Sequence, residues 1–209
     1  MSAMLTPWGY SIESEAELPG LLTDAEFDAI TASKYDGDVR IAPGINAASN
    51  AIRNYCGWHL FPALPCEFKT TFYDRRVTKV GGGVHIQLPA RLVSAVSAVT
   101  IGGVAYTTFV VDATGILRVF DVDFSCTRNF TEIKVNYTAG LPDSMTGAIK
   151  DVAAAQITHE VAQSYGVTSE SSGGVSITYN SSWAQGGQAG ALSDYAKEIL
   201  SPYKVQGVY

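Results

Sequence analysis

The sequence predicts an α+β fold: a small helical bundle of about four helices, with an antiparallel β lobe inserted between the second and third helices. Three observations predict it. Apolar residues recur at helical spacing towards both ends of the chain, over 41–55 and 145–161. Between 67 and 137 the pattern switches to β-branched and aromatic residues in alternation, broken by turn residues every 8 to 12 positions. The helices at the two ends are each too short to bury their own stripes, so they are expected to cohere as one bundle.

Residues 1–22 read as an extended, irregular arm punctuated by Pro7, Pro19 and Gly20. Thr23 opens a capping box in T-D-A-E, where its hydroxyl takes the Glu26 amide and the Glu26 side chain reaches back. The short helix it starts runs through Phe27 and Ile30 and stops before Tyr35-Asp36-Gly37-Asp38. Ile41, Ile45, Ala48, Ile52 and Tyr55 form the stripe of a second helix, with Pro43 in its first turn, Arg53 off the stripe and Gly57 as C-cap. Pro62 and Pro65 forbid further helix. E-F-K-T-T-F-Y alternates as a strand, Gly81-Gly82-Gly83 turns the chain, and V-H-I-Q-L follows, with His85 facing solvent or a neighbouring subunit. V-S-A-V-T-I, Gly102-Gly103 and V-A-Y make a hairpin pattern. Two further strands flank a turn at Asp112–Gly115. E-I-K-V-N-Y puts Ile133, Val135 and Tyr137 on one face and Lys134 and Asn136 on the other.

Helix returns over roughly 144–165, with Met145, Ile149, Val152, Ala153, Gln156, Ile157 and Val161 on its buried side. A polar glycine turn, a strand-like stretch and the glycine-rich run 185–190 follow. The last helix carries Leu192, Tyr195, Ala196, Ile199 and Leu200 and stops at Pro202. The expected division is an arm (1–22), a bundle (23–62 and 141–203), an inserted lobe (63–140) and a tail (204–209).

Composition narrows the function. Of 209 residues, 46% are hydrophobic and 16% charged, as in a folded globular chain, and the net charge is -6. The longest basic run is Arg75-Arg76, so no stripe exists to neutralise a phosphate backbone, and an acidic lining would let DNA slide past. No apolar run reaches membrane-spanning length, and the N-terminus has neither the basic start nor the apolar core of a secretory signal. Cys56, Cys66 and Cys126 match neither a zinc site nor a disulfide scaffold, and free thiols are expected.

Candidate chemistry is sparse. His159-Glu160 opens like a zinc-protease helix, but position 163 is Gln where a second His is needed. Cys56 and His59 could pair as a nucleophile and base, yet no third group orients them, and packing is the better reading. The runs 81–83 and 173–174 lack the residues of a phosphate or dinucleotide loop, and Asp112, Asp121 and Asp123 lack calcium-loop spacing. No enzyme, cofactor or metal is expected. The aromatic tail from Tyr203 to Tyr209 reads as a docking arm, since tyrosine brings contact area at low entropic cost.

Four runs stand in order along the chain: A-I-R-N-Y-C-G-W-H-L-F-P (51–62), V-N-Y-T-A-G-L-P-D (135–143), G-V-T-S-E-S-S-G-G-V-S-I-T-Y (166–179) and L-S-D-Y-A-K-E-I-L-S-P-Y (192–203). Together they resemble the head–tail connector (adaptor, or head completion) proteins of tailed bacteriophages. The resemblance implies a structural virion protein of the phage neck, in a typically dodecameric ring that docks under the portal after DNA packaging. Such a ring extends the DNA channel, lets genomic DNA pass without sequence-specific binding, and presents a surface to the stopper or tail-completion protein. It implies a place at the head–tail junction, with synthesis and assembly in the bacterial host cytoplasm and no membrane partner. The family's portal-reaching segment falls on Ser201, Pro202, Tyr203, Lys204, Val205, Val208 and Tyr209. Its loop for subunit or ring contacts falls on Ser169, Glu170, Gly173, Gly174 and Tyr179.

The alternative reading is a ligand- or glycan-binding β module on a helical scaffold, with exposed Trp58, Tyr73 and Tyr106 as its contacts. A hydrolase using Cys56 or His159 is the third.

Overall fold

The structure, a computed structural model, describes residues 3–13, 18–124, 130–162, 169–172, 175–178 and 192–205. The fold is α+β. The chain forms two compact units, one of Met1–Leu18, Cys56–Thr146 and Tyr203–Tyr209, the other of Pro19–Tyr55 and Gly147–Pro202.

The second unit is mainly helical. Its first helix, α1 (Asp24–Thr31), starts at Thr23 with the full capping box: the Thr23 hydroxyl accepts from the Glu26 amide, and the Glu26 carboxylate accepts from the Thr23 amide at 2.9 Å. α2 (Ile41–Cys56) and α3 (Gly147–Ala162) bury their stripes in one cluster of Leu22, Phe27, Ile41, Ile45, Ala48, Ala154, Ile157 and Val161. Each fully buried aliphatic side chain there contributes about 1.5–3 kcal/mol relative to exposure. Lys150 on α3 donates to Glu26 at 2.6 Å, fastening α1. α4 (Asp194–Leu200) is capped by Ser193 and tied to α2 where Tyr55 Oη donates to the Lys197 carbonyl.

Several expected positions differ. Met145 lies in a 3-10 turn, Asp143–Met145, ahead of α3 and is 45% exposed, because the helix begins only at Gly147. Ile30 and Tyr195 are also exposed. Arg53 is buried: its guanidinium donates to the Pro19 carbonyl at 2.6 Å, and Ser49, one turn earlier, accepts from the Leu21 amide at 2.8 Å. α2 therefore has a second buried face that is polar and that hydropathy alone does not reveal.

The first unit is β-rich. Residues 3–13, expected as part of an irregular arm, form a hairpin of β1 (Ala3–Leu5) and β2 (Ser11–Glu13) that adds to β3 (Leu64–Thr71). Tyr10 and Ile12 are buried by it, which supplies the driving force. The chain continues through β4 (Val77–Val80), β5 (Gly83–Gln87), β6 (Val93–Ile101), β7 (Val104–Tyr106), β8 (Phe109–Val111), β9 (Ile116–Val119) and β10 (Glu132–Ala139). These make a six-stranded sheet, β1-β2-β3-β10-β6-β7, and a four-stranded sheet, β4-β5-β9-β8, with antiparallel neighbours throughout. β10 buries Ile133, Val135 and Tyr137 and turns Lys134 and Asn136 outward, so its alternation is as read from the sequence. The outward row is charged: Glu67 accepts from both Lys134 and Lys69. After β10 the chain passes so close to Pro62-Ala63 that a Cβ on Gly140 would meet Ala63 N at 2.6 Å. In the second unit a hairpin, β11 (Ser169–Ser172) with β12 (Val175–Thr178), completes the described strands.

Candidate functional site

The stretch Cys56–Phe61 leaves α2 through Gly57, whose φ of +79° suits the left-handed turn of a C-cap. It then enters the deepest part of the β-rich unit, where Cys56, Trp58, His59 and Leu60 are all 0% exposed. His59 is held at both ring nitrogens. The Ala139 carbonyl can only accept, so Nε2 carries the hydrogen and donates to it at 2.9 Å. Nδ1 is then the acceptor for the Tyr10 hydroxyl at 2.7 Å, and that same oxygen accepts from the His59 amide at 3.0 Å. Leu141 closes the junction by donating its amide to the Leu60 carbonyl at 2.8 Å. One histidine thus joins the N-terminal hairpin, the end of β10 and the exit from α2.

The same stretch binds the C-terminal segment. The Trp58 indole N–H donates to the Tyr203 carbonyl at 2.8 Å, Val205 donates its amide to the Cys56 carbonyl at 2.9 Å, and Arg91 donates to the Lys204 carbonyl at 3.4 Å. Tyr203, Lys204 and Val205 are half-buried as a result, while Ser201 and Pro202 are exposed. The main chain of Tyr203–Val205 is therefore tied to the β-rich unit, with the three side chains half-exposed. Main-chain hydrogen bonding, which leaves no pattern in side-chain identity, is what the sequence could not reveal. Val208 and Tyr209 lie outside the described residues. Of the expected loop contacts, Ser169 pairs with Thr178 and Glu170 with Ile177 in the β11–β12 hairpin, and Gly173, Gly174 and Tyr179 lie outside the described residues.

The reactive candidates are occupied otherwise. Burial pushes the Cys56 thiol up to about 12, with the nearby Lys204 ammonium only partly offsetting it. A thiol held protonated by burial is not an activated nucleophile, and the ring nitrogens of His59 are bonded to Tyr10 and Ala139. Burial likewise pushes the Cys66 thiol up to about 12. On α3, Glu160 accepts from Gln156 at 3.0 Å, in a carboxylate–amide pair one turn apart. Burial alone would raise the Asp112 carboxyl, but hydrogen bonds from Thr114 and the Ile116 amide, with Arg118 nearby, hold it below its usual value, which makes it a turn former. Trp58, expected as an exposed ligand contact of the β lobe, is fully buried, and its polar edge is taken by Tyr203. Tyr73 remains 64% exposed against Phe130, and Tyr106 is half-buried.

A family model, that of the head completion protein, matches residues 21–205. The chain belongs to the head completion protein family. The matched span takes in parts of both compact units of this family member, including His59 with Ala139 and the segment latched to Trp58, and leaves out Tyr10 and the β1–β2 hairpin. No curated protein sequence matches it. Among solved structures it is similar to a chain of the "Neck of empty GTA particle computed with C6 symmetry", at 17% identity and a TM-score of 0.46, over 95% of this chain and 97% of that one. Among the described residues no helix is long and apolar enough to cross a membrane. Tyr10 is the residue of the junction that sequence reading missed; its only signal was alternation with Ile12, too short a run to register.

Proposed function

We propose that this family member is a structural, non-catalytic subunit of the phage neck, at the head–tail junction of the virion. Copies close a ring beneath the portal, join the DNA-filled head to the stopper or tail, and prolong the DNA channel. The observation that carries this reading is the family match over residues 21–205. The charge supports it: at -6, with no basic stripe, the chain suits a conduit along which DNA moves without being held. Ser201, Pro202, Tyr203, Lys204, Val205, Val208 and Tyr209 would form the segment that reaches the portal, with Ser201 and Pro202 exposed and the main chain of Tyr203–Val205 tied down. Ser169, Glu170, Gly173, Gly174 and Tyr179 would contact a neighbouring subunit or the next ring.

The experiment mixes the chain with portal rings of the same particle and follows mass by mass photometry and shape by negative stain. The expected result is a portal capped by a closed ring. A chain that stays monomeric and ignores the portal refutes the reading. Removing residues 206–209 spares the latch, so the truncated chain should melt like the full one and bind the portal at least tenfold more weakly; unchanged binding removes the docking role of the tip.

A further inference from the structure

Among the described residues the six-stranded sheet has two stretches of edge without a neighbouring strand, and they stand level with each other. Its pairing runs Leu5–Ser11–Glu67–Asn136–Ala98 as one row across five strands, and Met4–Ile12–Cys66–Tyr137–Val96 as the next. β1 is therefore at the same height as Val96–Ala98 of β6. On its outer side β6 pairs with β7 only at Val99–Ile101, so among the described residues Val93–Ala98 has no strand beside it.

V-S-A-V-S-A and A-M-L contain no charge and no proline, two of the means by which edge strands are kept from pairing. Leu5 is 74% exposed, and Ser94, Ala95, Ser97 and Ala98 are exposed. The pairing of β6 with β10 skips Ser94 and Ser97, whose hydroxyls donate back to the Thr138 and Asn136 carbonyls, leaving small side chains along the open edge. The second row is buried at Ile12, Cys66 and Tyr137 but finishes in half-exposed apolar residues, Met4 at one end and Val96 at the other.

We infer that β1 of one copy adds to the open stretch of β6 in the next copy, so that the sheet runs on from subunit to subunit. Each step from β1 through β2, β3 and β10 to β6 is antiparallel, so β1 and β6 point the same way. A copy displaced sideways then pairs its β1 parallel to β6. Met4 abuts Val96 and prolongs the apolar row, and Leu5 lies beside Ala98, whose methyl leaves room for it. The two patches differ, so the contact is heterologous and can close a ring. This rests on the ring reading and supplies the interface that reading needs.

The test mixes two differently tagged chains, Leu5→Cys and Ala98→Cys, each also carrying Cys126→Ser, alone and with portal rings, and treats them with a short bis-maleimide. The mixed pair should be the dominant cross-link, with like pairs at background. In parallel, Ala98→Glu should weaken self-association at least tenfold while melting at the wild-type temperature. Rings in the micrographs without the mixed cross-link overturn the strand addition and leave the ring reading standing. Absence of any ring, with or without portal, overturns both.

Discussion

Removing one oxygen from Tyr10 tests whether the buried histidine clamps the N-terminal hairpin to the sheet. Tyr10 is 1% exposed and His59 0%. Tyr10→Phe keeps the ring and its contacts with Trp8 and Tyr137, at centroid distances of 6.1 and 6.4 Å. It deletes the donation to Nδ1 at 2.7 Å and the acceptance from the His59 amide at 3.0 Å. Each partner left unmatched in the interior costs about 1–3 kcal/mol, so two cost roughly 2–6 kcal/mol, a large part of a typical domain's stability. At about 2–4 °C per kcal/mol for a chain of this size, the melting temperature should fall by roughly 4–24 °C. Urea unfolding followed by circular dichroism measures it, and amide exchange should quicken first in β2. Tyr73→Phe, at a 64% exposed ring, is the control and should change stability by less than about 0.5 kcal/mol. A Tyr10→Phe protein within about 0.5 kcal/mol of wild type would refute the clamp.

Trp58→Phe removes the donor that holds the Tyr203 carbonyl; trypsin cleavage after Lys204, read by mass spectrometry, should speed up several-fold, and an unchanged rate contradicts the latch. Gly140→Ala forces a Cβ to 2.8 Å from the Pro62 carbonyl oxygen and should cost more than about 3 kcal/mol in the same urea assay. Hydrogen bonds from Lys134 and then Lys69 hold the Glu67 carboxyl below the usual range, and Lys150 and then Thr23 do the same for Glu26. With the folded value depressed, each contribution is complete above the ordinary carboxylate value of 4.5 and is lost as pH falls through the folded one. Solvent screening keeps each near or below about 1 kcal/mol, so Glu67→Gln should flatten the acid side of the stability profile by that much. Cys56 and Cys66, with thiols pushed up to about 12, should resist a thiol reagent at pH 8 until the chain is unfolded.

What the sequence showed depended on how many repeats of a period it contained. β10 has eight residues of clean alternation and α2 four turns of one stripe, and both are where the pattern placed them. β1 and β2 have three residues each, with Pro7 and Gly9 in between, so the two inward positions Tyr10 and Ile12 were too few to mark a strand. β6, read as a strand over Val96–Ile101, begins three residues earlier, at Val93: Val93, Val96 and Val99 recur every three residues because register shifts interrupt its alternation. Ser49 and Arg53 on α2 repeat at helical spacing, but a stripe made of polar residues is read as solvent-facing unless the carbonyl and amide that satisfy it, at Pro19 and Leu21, are known.

Two of the four runs that carry the family resemblance, 51–62 and 135–143, belong mostly to the interior. Trp58, His59 and Leu60 in one, and Val135, Tyr137, Ala139 and Leu141 in another, are buried, and the two runs bond to each other through His59 with Ala139 and Leu141 with Leu60. Those residues identify the fold, and they cannot touch a portal or a neighbour without unfolding it. On the proposed reading, partner recognition would rest on exposed positions such as Ser201, Pro202, Ala98 and Leu5, where substitution costs the fold little. The two classes separate by experiment. Substitution at Tyr10, Trp58 or His59 should lower stability and assembly together, whereas Ala98→Glu or loss of residues 206–209 should lower assembly at wild-type stability. If the interior substitutions reduced assembly while leaving the melting temperature unchanged, the junction would be a contact surface, and its burial in the isolated chain would have to open in the ring.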